Sequence, residues 1–211
     1  MELVFTPSEK LAKPHSQLTR PALRFDNDKF EVPMLAYVYV LIAVAIRLFS
    51  ALGYIGTMGF VPLEASMLFF GSRMKSRHFL IAVALLIGTD VYLTMWRYGM
   101  PLKWDQGIIW AWYFGVFFLG SVLKGRVRPL PVAGVAIGSA LSFFLVSDFA
   151  VWLEGSLYPH TLAGLSAAYV AAIPFFEKGI VSNLVFSAIF FGLPALYARL
   201  SDQAAQNKAA A

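Results

Sequence analysis

Residues 79–96 read FLIAVALLIGTDVYLTMW, with a single charge, Asp90. Crossing the ~30 Å hydrocarbon core of a bilayer takes about 17–25 apolar residues in a helix, and this stretch meets that requirement. Basic residues flank it, with Arg73, Lys75 and Arg77 before and Arg97 after. Working back, Phe60 to Phe70 is apolar but holds Pro62 and Glu64 and is too short to cross straight, which predicts a short or broken second helix. Glycines 53, 56 and 59 mark a turn, and Met34 to Leu52 is a longer run interrupted only by Arg47. Working forward, Gly107–Leu123 and Val132–Phe149 are the fourth and fifth apolar spans. Val151–Lys178 reads as a long connection with an alanine-rich helical stretch from Thr161 to Ile173, and Gly179–Tyr197 is the sixth span. The expectation is an all-α integral membrane bundle of about six transmembrane helices. Residues 1–33 would form a polar tail, 34–199 the six-helix domain, and 200–211 a frayed C-terminal tail.

Composition agrees. Of 211 residues, 59% are hydrophobic and 14% charged, against about 25% charged in a soluble domain. There is no cysteine, which excludes disulfides, thiolate metal sites and cysteine nucleophiles. The formal charge of +5 does not point to nucleic acid, because the basic residues lie beside apolar spans. With the N-terminus inside, inner segments carry Lys10, Lys13, Arg20, Arg24, Lys29, Arg73, Lys75, Arg77, Lys124, Arg126, Arg128, Arg199 and Lys208, and outer segments only Arg97, Lys103 and Lys178. That bias places both termini in the cytoplasm. The proline-punctuated residues 1–33 show no signal peptide.

Charges at membrane depth are the informative feature. Each costs at least about 2.5–3.5 kcal/mol at the centre of a span, so it persists where it is paired or lines a wet cavity. Arg47, Glu64, Asp90 and Asp148 lie at or near that depth. Asp90 stands roughly 18 Å up its helix from His78 and is the deepest. Arg47, Asp90 and Asp148 fall in the outer half and Glu64 mid-segment. Trp152 and Tyr158 follow on the outer side, together with Trp104, Glu154 and His160. Converging polar and aromatic groups describe a pocket. Interfacial aromatic belts, a structural pair of Arg47 with Asp90 or Glu64, and a water-facing Asp148 are the alternatives.

Other patterns carry less. Gly71-Ser72-x-x-Lys75-x-Arg77 recurs as Gly120-Ser121-x-x-Lys124-x-Arg126, the hint of an internal repeat. Gly134-x-x-x-Gly138 and Ala136-x-x-x-Ala140 give the fifth span a smooth face, and Asn183 suits an interhelical hydrogen bond. No catalytic, metal or nucleotide motif is present, so neither an enzyme nor a cofactor is expected.

Phe60-x-Pro62-x-x-Ala65, Leu68-Phe69-x-Gly71, Thr89-Asp90, Arg97-Tyr98-Gly99, Ser147-Asp148-Phe149-x-Val151-Trp152, Tyr158-Pro159-x-Thr161-x-x-Gly164-Leu165 and Ala172-Ile173-Pro174-Phe175-Phe176 together resemble a family of small bacterial inner-membrane proteins. These look like the substrate-binding (S) components of energy-coupling-factor transporters. The resemblance implies an S-component-like fold, an outward-facing pocket, a transmembrane coupling protein with two ATPases as partners, and a bacterial inner-membrane location. The chain departs from the pattern at Asp148, where asparagine is usual. It also lacks the Ala-x-x-x-Ala motif on the first helix, since Arg47 and Phe49 follow Ala43 and Ala45.

The leading expectation is therefore a small-molecule uptake component binding an organic ligand through Asp90, Asp148, Trp152, Tyr158, Arg47 and Glu64, with the Gly53–Gly59 loop and the 151–178 connection as lids. The alternative is a non-catalytic accessory subunit of a larger membrane complex. A third reading, an intramembrane enzyme using Glu64 or Asp90 with His160, ranks last.

Overall fold

The computed structural model describes residues 31–54 and 60–210. Among them every regular element is helical: α1 (Glu31–Ala51), α2 (Leu63–Arg73), α3 (Ser76–Tyr92), a π-helical turn (Leu93–Arg97), α4 (Gln106–Ser121), α5 (Pro129–Glu154) and α6 (Leu162–Ala210). Among the described residues four stretches are long and apolar enough to cross a membrane: Met34–Ala51, His78–Arg97, Pro129–Glu154 and Leu162–Lys208. The other two helices are shorter. At 1.5 Å per residue α2 is about 16 Å long and α4 about 24 Å, below the ~30 Å of hydrocarbon.

Helix α1 buries Ala36, Tyr39, Val40, Ala43 and Val44, one face at helical spacing. Its Met34, Leu41, Ile42 and Phe49 point outward, an apolar surface suited to lipid. Helix α2 is different, because every residue from Ala65 to Ser72 is buried. It forms the centre of the bundle and packs against α1, α4, α5 and α6. Phe69 stacks between elements, edge-on to Tyr39 at 4.9 Å and to Phe191 at 5.1 Å. Tyr39 in turn lies flat on Phe190 at 4.0 Å.

Helices α2 and α4 approach closely at the two glycines of the sequence repeat. A methyl group on Gly71 would collide with the Phe117 carbonyl, and one on Gly120 would collide with the Leu68 carbonyl. The two contacts have the same sequence offset, so the crossing is locally self-complementary. By contrast, Gly134 and Gly138 meet nothing within 4 Å. On α5 it is Ala136 and Ala140 that are buried.

Two expectations need correction. The long 151–178 connection does not exist, because α5 runs on to Glu154 and only residues 155–161 precede α6. Gly155, at φ 78°, ends α5 in the left-handed region that glycine tolerates. Thr161 accepts the Gly164 N–H at 3.0 Å through its hydroxyl and starts α6. Helix α6 then carries through Pro174 and Pro194 and through the exposed Glu177 and Lys178, so Lys178 sits on a helix and not in a loop. The residues from Ser201 to Ala210 are helical as well, not a frayed tail. At 49 residues, α6 extends roughly 70 Å, more than any bilayer covers. Residues 1–30 and 55–59, the N-terminal tail and most of the Gly53–Gly59 loop, lie outside the described residues.

Candidate functional site

Two adjoining cavities open inside the bundle. The first, of about 370 Å³, is walled by α1 (Arg47), α2 (Leu63, Glu64), α3 (Asp90), the π-turn (Thr94), α4 (Gln106, Ile109, Trp110, Trp112, Tyr113) and α5 (Phe143). The second, of about 300 Å³, lies between α2, α5 and α6, and Val61, Glu64 and Phe143 belong to both. Glu64 is therefore the polar partition between them.

In the first cavity Arg47, Asp90, Trp110 and Tyr113 satisfy one another, whereas Gln106 Oε1 is buried without a donor among the described residues. Arg47 Nη1 pairs with Asp90 Oδ1. Asp90 Oδ2 accepts the Tyr113 hydroxyl at 2.8 Å and the Trp110 indole N–H at 3.1 Å. Arg47 Nη1 also reaches the Tyr113 hydroxyl at 3.4 Å. The cluster ties α1, α3 and α4 together. Above it, Gln106 Nε2 donates to Thr94 Oγ1 at 3.0 Å, where the π-turn widens the helix, as such turns do at functional sites.

Glu64 sits in the first turn of α2, where the helix dipole favours an anion. Its Oε2 accepts the Ser139 hydroxyl at 2.7 Å and Asn183 Nδ2 at 2.9 Å. The same Asn183 nitrogen donates to the Ala136 carbonyl at 2.7 Å. Both neighbours of that nitrogen are acceptors, which fixes the amide orientation. Among the described residues no basic side chain forms an ion pair with Glu64.

Of the other residues predicted from sequence, Asp148 lines the second cavity with Ser147 and the phenylalanines 143, 144, 175 and 176. Trp152 and Tyr158 line neither cavity. Trp152 instead closes the α5–α6 turn, donating to the Pro159 carbonyl at 3.0 Å and lying edge-on to His160 at 5.4 Å. His160 is held by the Leu153 carbonyl at 3.1 Å, in that same turn and away from Glu64 and Asp90. Lys103 pairs with Glu154 at 2.6 Å, and this hydrogen bond raises the Lys103 ammonium above its ordinary pKa. Sequence reasoning missed Ser139, and it gave Asn183 no link to Glu64. The buried small polar residue on each apolar helix was the only available signal.

A family model described as a family of unknown function, DUF6580, matches residues 27–206, and the chain belongs to that family. No curated protein and no solved structure matches it.

Proposed function

We propose that this protein is a small-molecule uptake component of a bacterial inner membrane, holding an organic ligand in the paired cavities around Glu64. The observation that carries the reading is Glu64 itself, an acidic side chain shared by two cavities inside an apolar bundle and, among the described residues, without an ion-pair partner. A carboxylate in such surroundings loses several kcal/mol of solvation, and a bound ligand returns part of it. The excess of basic residues on one set of loops supports cytoplasmic termini. With cytoplasmic termini the first cavity, lined by Thr94, Gln106 and Trp110, would belong to the outer half, and the ligand would enter from outside. The S-component resemblance makes a coupling protein with ATPases the expected partner.

The second reading, an accessory subunit of a larger complex, is favoured by Glu177 and Lys178. Both are exposed on α6 within two turns of the buried Asn183, where a charged outer face suits a protein neighbour better than lipid. Native mass spectrometry of the gently solubilised full chain separates the two. A co-purifying small organic mass, displaced in Glu64→Ala, supports uptake. Stoichiometric protein partners without an ATPase, and no small mass, support the accessory subunit and sink the uptake reading.

A further inference from the structure

The two cavities differ in charge. Arg47 and Asp90 offset each other in the first. Among the described residues the second is lined by two carboxylates, Glu64 and Asp148, and by no basic residue. Lys178 and Glu177 lie on the exposed face of α6 and are not part of its wall. Its apolar walls include the aromatic side chains of Phe143, Phe144, Phe175 and Phe176.

Hydrogen-bond accounting points the same way. Both donors to Glu64 among the described residues converge on Oε2, and none of them reaches Oε1. Asn183 Oδ1 is buried with no donor, on a residue only 3% exposed. Acceptors outnumber donors around Glu64, and the amide orientation that would exchange one for the other is excluded by the Ala136 carbonyl. What such a site lacks is positive charge and N–H groups together.

We infer that the second cavity, between α2, α5 and α6, binds an organic cation bearing a primary ammonium group, with Glu64 as its anchor and Asp148 as a second counter-charge. The proposal deepens the uptake reading and rests on it for its biological sense, but the site is testable without transport. A bare metal ion would leave most of about 300 Å³ unfilled, whereas an alkyl chain fits the phenylalanine walls and an ammonium gains from ring faces within about 6 Å. Ser139 on α5 marks the level of the Glu64 carboxyl. Asp148 lies further along the same helix by about 13 Å of axial rise. Two carboxylates spaced along one apolar channel suit an α,ω-diammonium ion better than a compact cation.

The test is calorimetric titration of the solubilised full chain with 1,4-diaminobutane, with butylammonium, and with tetramethylammonium, which has a charge but no N–H. The expected result is saturable binding in the order diamine, monoamine, tetramethylammonium. Glu64→Gln should weaken the diamine at least tenfold, and Asp148→Asn about threefold to tenfold. Glu64→Gln keeps an acceptor for Ser139 and Asn183. Should it still fail to fold, the Asp148→Asn arm decides. No saturable diamine binding to a cooperatively melting wild-type chain overturns the proposal, and so does diamine binding unchanged in both variants. Sodium binding that the amines do not displace overturns it as well. A neutral or anionic mass co-purifying with the chain, without amine binding, overturns the cation assignment and leaves the uptake reading standing. Amine binding to a chain that moves no amine into proteoliposomes with its partners keeps the site and removes the uptake reading.

Discussion

Asp90 and Glu64 both face the first cavity, and their surroundings differ in kind. Asp90 has a guanidinium, an indole N–H and a phenol, which between them engage both oxygens. Among the described residues Glu64 has two neutral donors on one oxygen and no cation. The first arrangement joins three helices and is complete as it stands. The second is satisfied only in part and opens to two cavities. A buried charge that has found its partner is evidence about assembly. One that has not is evidence about ligands, and depth in the membrane alone does not tell the two apart.

Removing Asp90 should have the largest effect. Asp90→Ala leaves Arg47 unpaired and strips an acceptor from Trp110 and Tyr113. Loss of one partner of a buried pair costs about 3–5 kcal/mol, and the 31% exposure of the Arg47 side chain puts the expected loss near the lower figure. Unfolding in mixed micelles reads it, and a loss too small to resolve would break the contrast drawn between the two carboxylates. Tyr113→Phe deletes one hydrogen bond to the Asp90 carboxylate and should cost about 1.5 kcal/mol in the same assay. If its loss equals that of Asp90→Ala, the phenol and not the ion pair holds the cluster. Glu64→Gln preserves both hydrogen bonds and removes an uncompensated charge, so stability should stay within about 1 kcal/mol of wild type or rise. A large loss would make Glu64 structural. The smallest effect is expected of Lys103→Ala, whose ion pair with Glu154 is exposed. Pairs of that kind add little, and its melting curve should overlay that of wild type.

Much of the helical layout was legible in the sequence because hydropathy reports length directly. Runs such as 79–96 and 132–149 correspond to α3 and α5 with ends shifted by a few residues. Helix α6 was not legible as one element. Its sequence divided into an alanine-rich stretch ending at Ile173 and a separate span from Gly179, yet Glu177 and Lys178 face outward and the helix continues. The pairing of charges was only half legible. Arg47 was offered Asp90 or Glu64, and hydropathy has no means of choosing between partners on different helices. The setting of Glu64 was hidden altogether, since Ser139 and Asn183 lie 75 and 119 residues away in sequence. Trp152 and Tyr158 looked like pocket residues because their types recur in pockets, but interfacial turns recruit the same side chains.

The most direct measurement compares the unfolding of Asp90→Asn and Glu64→Gln full chains side by side, with and without saturating 1,4-diaminobutane. Asp90→Asn should melt below wild type and still be stabilised by the diamine, while Glu64→Gln should melt close to wild type and not respond to it. The opposite pattern, with Glu64→Gln unstable but responsive and Asp90→Asn stable but unresponsive, would contradict the account and make Asp90 the ligand-binding carboxylate.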